Sequence, residues 1–356
     1  MKKPLLLIVS FLCCILSFAQ TIRGKVVDAE TKQPLEGASV FAQNTTRGVI
    51  TDKEGNYVIT LGKGGFELVF SFTGYENKVA NLDVTADREL NIEMQKADNS
   101  MSEVIVRNSN EVEDGWAKHG QFFLQHFIGN TPFADSCSLL NPEALTFLYY
   151  KRNDRYKILA KEPLLIQNRA LGYNLRYQLD SFVHFNQNNI SSYRGYCLFT
   201  EMEGTEEERK VWKENREKAY YGSRLHFLRA YYDSTLKQEG FTVDILSTTM
   251  ANKFNRLTNP YDTSYYFFDD STLNAELYFP NKVSITYHKA APEKRYLQFY
   301  KLPLDVKTQI SYVDLLDPII INPNGFFFDQ KSWVNQGYWS WKNIADQLPY
   351  DYEAGR

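Results

Sequence analysis

Apolar and polar residues alternate with period two from Gln20 to about Val106. Ile22, Gly24 and Val26 share one side of an extended segment. Ala38, Val40 and Ala42 share another, followed by Tyr57, Ile59 and Leu61 and then by Phe66, Leu68, Phe70 and Phe72. Such alternation, rich in β-branched and aromatic residues, predicts half-buried strands. Turn-forming runs separate them: Thr31-Lys32-Gln33-Pro34, Asp52-Lys53-Glu54-Gly55 and Gly62-Lys63-Gly64-Gly65. Short strands at this spacing predict a β-sandwich. Polar residues around 96–100 and 108–113 mark its end. The chain thus divides into a sandwich over 20–107, a linker over 108–113 and a second domain over 114–356.

In the second domain the pattern switches. Thr205 and Glu208 form a capping box, Glu206 and Glu207 suit a helix N-terminus, and Gly240 supplies a stop. One long helix is therefore expected over 206–239. Its first half, EEERKVWKENREK, reads as a solvated charged face. Its second half carries Tyr221, Leu225, Leu228, Tyr232 and Leu236 on one side and Tyr220, Phe227 and Tyr231 on another, so it should be buried. Strands are expected over 145–150 and 156–160, joined by a turn at Asn153-Asp154, and along the alternation Leu171, Tyr173, Leu175, Tyr177 and Leu179. Further strands are expected over 241–246, 264–268, 276–279, 283–288 and 296–300, with short helices over 116–128 and 341–348. Many strands around few helices predict an α+β domain with a mostly antiparallel sheet.

With 356 residues, 43% of them apolar, the chain can bury sizeable cores. The first nineteen residues stand apart. Lys2 and Lys3 precede a short apolar run over 5–16, and Ser17-Phe18-Ala19 places small residues at a cleavage site before Gln20. That is the layout of an export signal. The run is shorter than the ~20 residues a membrane span needs. Export to the periplasm follows, with no transmembrane segment in the mature chain and peripheral contact with an outer membrane left open. Ser10-Phe11-Leu12 before Cys13 lacks the small residues of a lipoprotein signal. Formal charge is −3 and no basic stripe exists, which argues against nucleic acid as a partner.

Candidate chemistry is sparse. Cys137 and Cys197 remain after export; in an oxidising compartment they form either a disulfide or two separate buried thiols. The histidines His119, His126, His184, His226 and His288 belong to no metal-binding spacing. His226, on the expected buried helix face, reads as a hydrogen-bonded core residue. No nucleophile elbow or phosphate loop is present, and Ser223 falls mid-helix. Asp52-Lys53-Glu54-Gly55-Asn56 lacks the later ligands of a calcium loop and reads as a tight hairpin. No catalytic residue, metal ligand or cofactor is assigned. The chain is rich in rings, with 24 Tyr, 24 Phe and 5 Trp. Trp333, Tyr338, Trp339 and Trp341 form a candidate aromatic binding patch, although such rings more often fill cores.

Three runs carry a resemblance: GKVVDAETKQPLEGASV, TDKEGNYVI and LVFSFTGYE. Together they resemble the carboxypeptidase-regulatory-like domain, a transthyretin-like sandwich of Bacteroidota envelope proteins. In that family the domain often precedes the plug and barrel of TonB-dependent receptors. The residues after 114 are too few for a plug and a barrel of ~22 strands. Ser102, Glu103, Val104, Ile105 and Val106 resemble a segment that pairs with a partner's sheet edge in those receptors; a last strand or linker is the other reading. The runs HFIGNTPFADSC, LLNPEAL, NRALGY, AYYGSRLHFLRA and IADQLPYDY resemble a domain of unassigned activity that follows the same sandwich elsewhere. The expectation is a non-catalytic periplasmic or outer-membrane-associated adaptor that binds an envelope protein or glycan. Two alternatives are a glycan- or peptide-acting hydrolase and an accessory of TonB-dependent uptake acting through 102–106.

Overall fold

A computed structural model of the chain describes residues 20–97, 110–247 and 253–355. The expected leader (1–19) and strand-pairing segment (102–106) lie outside the described residues. The N-terminal region is the expected sandwich. One sheet orders β4 (Asn56–Leu61), β1 (Gln20–Asp28) and β7 (Arg88–Glu89), with β8 (Ile92–Met94) also on β1. The other orders β3 (Gly48–Ile50), β2 (Ser39–Ala42), β5 (Gly64–Ser71) and β6 (Lys78–Val84). The alternating residues face inward: Ile22, Val26, Tyr57, Ile59 and Leu61 meet Val40, Leu68, Phe70, Leu82 and Val84 in one core. The run after Asp52 is a turn that crosses between sheets, so it joins β3 to β4 without pairing them. Asp52 accepts from the Glu54 and Asn56 amides at 3.0 and 2.7 Å, which fixes that turn.

A second body follows. Its six-stranded sheet orders β10 (Leu145–Tyr150), β11 (Arg155–Ala160), β13 (Tyr173–Phe185), β12 (Leu164–Asn168) and β9 (Cys137–Leu139), with β14 (Ile190–Glu201) on the far side of β13. α1 (Gly115–Phe127) lays Phe123 and Phe127 on this sheet. Part of the expected linker is structured: Glu111 bridges Leu148, and the Val112 amide donates to Phe147, so 110–112 lengthens the sheet beside β10.

The expected single helix over 206–239 is three helices: α2 (Glu206–Tyr220), α3 (Arg224–Tyr232) and α4 (Leu236–Glu239). The capping box is present. The break comes at Gly222, which adopts φ +82°, and Ser223 then caps α3 by accepting from the His226 amide. α2 is also less solvated than its charges predict. Trp212, Asn215 and Arg216 donate to the carbonyls of residues 169–172 and dock the helix on the turn before β13.

The third body packs α3 and α4 against two sheets. One orders β16 (Phe254–Arg256), β15 (Phe241–Leu246), β19 (Val283–Tyr287), β20 (Gln309–Leu315) and β22 (Trp333–Gly337). The other orders β17 (Tyr266–Asp269), β18 (Asn274–Leu277) and β21 (Ile319–Ile321). Phe227, Tyr231, Phe241, Ile285, Val313 and Trp333 lie in its core. The expected strand over 296–300 is instead a helix, α5 (Lys294–Phe299), with the rings of Tyr296 and Tyr300 tilted together one turn apart at 4.9 Å. The expected helix over 341–348 shrinks to α6 (Tyr338–Trp341) and a single turn over Ile344–Asp346.

The sandwich is locked to the rest at two places. The loop after β2 runs along the open edge of β14: the Asn44 amide donates to Cys197, and the Phe199 amide donates to Thr45. Pairing this edge protects what would be a bare strand. Thr46 then binds Asp351 through its amide and hydroxyl, and the Tyr350 amide donates to Asn44. At the second place Asn324 donates to the Gly65 carbonyl and Asn322 to Asp83. A Cβ on Gly65 would lie 2.0 Å from the Asn322 oxygen, so glycine is required for this approach.

Candidate functional site

The three bodies enclose a cleft of about 1470 Å³. The sandwich contributes Gln43, Asn44 and Glu67. The second body contributes Phe133, Tyr177, Tyr193 and Tyr196, and the α2–α3 elbow contributes Tyr221, Gly222 and Arg224. The third body and the C-terminal tail close it with Lys289, Glu293, Gln309, Trp339, Lys342, Asp346 and Tyr350. Its volume exceeds the ~300–1,000 Å³ of most small-molecule pockets.

The elbow is tightly held. Gly222 donates its amide to His226 Nδ1 at 3.1 Å, and its carbonyl accepts from Trp339 Nε1 at 2.7 Å. His226 Nε2 meets Glu239 at 3.0 Å. Accepting at Nδ1 makes Nε2 the donor, so the imidazole is neutral. Burial lowers its pKa, outweighing the opposite pull of Glu239. Ser223, His226 and Glu239 have the composition of a hydrolytic triad but not its wiring. Ser223 Oγ accepts from the His226 backbone amide, and the ring nitrogen that would serve as base is taken by Gly222.

On the opposite wall Lys342 bridges two carboxylates. Its Nζ pairs with Glu293 and, at 3.1 Å, with Asp346, while Thr131 donates to the other Asp346 oxygen at 2.8 Å. Burial works against the Lys342 charge, yet Asp346, Tyr338 and Glu293 together hold its pKa above the ordinary lysine range. Burial pushes the Asp346 carboxyl up to about 6. Trp341 Nε1 donates to Glu293 at 3.1 Å. The two carboxylates share this one cation and are held by it.

Other cleft groups are not matched. Burial pushes the Glu67 carboxyl up to about 7, and it has no hydrogen-bond or ion-pair partner among the described residues. The side-chain oxygens of Gln43 and Gln309 are buried without partners among the described residues, although their amide nitrogens donate to Gly195 and Ala291. Of the three, only Glu67 stays partly exposed to the cleft; the two amide oxygens are enclosed in its wall.

The sequence candidates fall differently. Trp333, Tyr338, Trp339 and Trp341 are each at most 5% exposed, so they form no surface patch. Trp333 and Trp339 fill the third core; Tyr338 and Trp341 belong to a smaller cluster with Tyr296 and Leu297. Tyr338 and Trp339 do reach the cleft wall. Cys137 and Cys197 are free thiols, not a disulfide. They sit on β9 and β14 with β12 and β13 between, a separation of roughly 14 Å at ~4.8 Å per strand, beyond any bridge. Burial pushes the Cys137 thiol up to about 12 and raises Cys197 further. His126 and His184 face each other at 4.9 Å, but no group of three metal-ligating side chains occurs among the described residues. Sequence reasoning missed Gln43, Glu67, Glu293 and Gln309. Only the Lys342–Asp346 pair, four residues apart, left a readable spacing.

Residues 22–106 match the CarboxypepD_reg-like domain, so the N-terminal sandwich is of that family. Over 114 residues the chain is 34% identical to the TonB-dependent receptor SusC of Bacteroides thetaiotaomicron, covering 32% of this chain and 11% of the receptor. Over 88 residues it is 39% identical to the TonB-dependent receptor P26 of Formosa agariphila, covering 25% of this chain and 8% of that one. The chain thus spans about a tenth of the length of the curated relatives it matches. Among solved structures, a cohesin–X-dockerin complex from Acetivibrio cellulolyticus is similar over 22% of this chain at 28% identity. Its TM-score of 0.20 gives that likeness no weight.

Proposed function

We propose that this chain is a non-catalytic binding or adaptor protein of the bacterial cell envelope, working in the periplasm or against the outer membrane. The envelope setting is supported by the family of the N-terminal domain and by its TonB-dependent relatives. No helix among the described residues is long and apolar enough to cross a membrane. The observation that carries the binding role is the cleft, where paired charges frame the partly exposed, unpaired carboxyl of Glu67. Such a site accommodates hydroxyl or amide donors along an extended ligand, which suits a glycan or a partner's chain segment.

One observation favours a second reading, a glycan- or peptide-acting hydrolase: the raised Glu67 carboxyl is poised as a general acid. Incubating the mature protein with envelope glycans and peptides, with Tyr221→Ala and Glu67→Gln variants alongside, separates the two. Binding that Tyr221→Ala weakens, with no product released, supports the adaptor. Product release abolished by Glu67→Gln moves the assignment to the hydrolase.

A further inference from the structure

One apolar feature belongs to none of the three large cores. From the end of α5, residues 298–305 are exposed without interruption. Phe299 is 62% exposed, Tyr300 49%, Leu302 40% and Leu304 64%. Single exposed apolar residues are ordinary, but a run of large ones marks an interaction surface. The tip stands on a fixed base formed by Tyr296, Leu297, Tyr338 and Trp341. The Phe299 ring lies 5.3 Å from Trp341 and 5.0 Å from Tyr300. Lys301 turns the chain at φ +53°, and the Leu302 amide donates back to Leu297 at 2.8 Å. The apolar residues are thus presented outward by a defined turn.

The charges around the tip indicate its partner. Lys294, Lys301 and Lys307 are exposed beside it, opposed only by Asp305 within the same stretch, because Arg295 is committed to Asp135. Lysine is depleted from the cores of protein–protein interfaces. At a bilayer surface, by contrast, lysines reach headgroup phosphates while neighbouring rings and aliphatic chains enter the acyl boundary.

We propose that residues 298–305 dip into the surface of a bilayer containing anionic phospholipid. Phe299, Leu302 and Leu304 enter the acyl boundary, and Lys294, Lys301 and Lys307 contact phosphates. This deepens the envelope reading above and rests on it. α5 also begins beside the cleft, where Glu293 lines the wall, so docking would hold the cleft close to the membrane.

The test is cosedimentation of the mature chain with vesicles of phosphatidylethanolamine and phosphatidylglycerol, and with phosphatidylcholine alone. The wild type should pellet with the anionic vesicles and much less with the neutral ones. The double variant Phe299→Asp, Leu304→Asp should reduce partitioning by about tenfold or more while leaving the circular dichroism unchanged, since both side chains are exposed. In a Phe299→Trp variant, brominated acyl chains should quench the added emission. No pelleting with either vesicle overturns the proposal, as does pelleting that the double variant leaves intact. Loss on reversing the lysines, with the double variant still binding, also overturns it, because attraction to charge alone is not insertion. Cleft binding measured on the same variants keeps this failure separate from failure of the proposed function.

Discussion

The sandwich and the α2–α3 elbow are built on opposite principles. In the sandwich each local preference agrees with the fold: alternation gives strands, Asp52 and Gly55 give a turn, and the core closes on itself. At the elbow Gly222 and the Ser223 cap permit the break, but its geometry is fixed by groups from other elements. Trp339, Gln309, His226 and Tyr287 all converge on Gly222 from outside α2. The difference separates a unit whose sequence specifies it locally from one assembled by long-range contacts.

Truncating Phe227 is the strongest way to break this comparison. Its ring contacts Tyr231, Phe241, Trp333 and Trp339, so Phe227→Ala should cost about 3–5 kcal/mol. All 5 Trp lie outside the sandwich, so tryptophan emission in urea reports the loss in the larger bodies. Amide exchange in β5 should show the sandwich keeping its protection longer. Simultaneous loss would make the regions one cooperative unit and end the distinction.

A glycine pair sharpens it. Gly222→Ala forces a side chain into a left-handed backbone and within 2.4 Å of the Gln309 oxygen, and should cost about 2–3 kcal/mol. Gly62→Ala, between β4 and β5, meets nothing within 4 Å and should be neutral or slightly stabilising, by up to ~1 kcal/mol. Thermal melts of the two variants compare the regions directly. A smaller effect is expected at the joint. Asp351→Ala removes two acceptor contacts to Thr46 and the partner of the exposed Arg47, about 1–2 kcal/mol, which proteolysis of the 42–47 loop should register.

The same contrast explains what the sequence made legible. Strands such as Phe241–Leu246 and Leu145–Tyr150 stood at their expected places because alternation is a local property. The β13–β14 hairpin was only half visible, since β14 mixes small, polar and aromatic residues without a clean period. Cleft residues were illegible for a deeper reason. Gln43 and Glu67 look like ordinary sandwich surface until the second body is docked beside them. The second resemblance held the best unused signal, because residues 132–133, 221–225 and 346–348 of its runs reach the cleft. Trp333 and its neighbours misled for the converse reason: ring density does not distinguish core from surface.

Acidification gives the subtlest contrast, and the pH at which it begins to act differs by region. In the sandwich, Asp28 is held below the ordinary 3.8 by the Thr31 amide and the Tyr75 hydroxyl, and Asp52 by the Asn56 amide. Their stabilisation is complete above 3.8 and is lost only as pH falls through the lower folded values. In the larger bodies, burial sets His226, His184 and His119 below their ordinary 6.5. The unfolded chain therefore takes up these protons first, and stability begins to fall as soon as pH drops below 6.5. Asp346 opposes this: raised to about 6, it favours the folded state below 3.8 and loses that contribution as pH rises through about 6. Amide protection compared at about pH 5 and about pH 7.5 should therefore fall in α3 while β1 holds. Asp346→Asn removes the opposing carboxyl and should enlarge the difference. Equal loss in α3 and β1 would show that the histidine environments do not set the acid limit of the larger bodies.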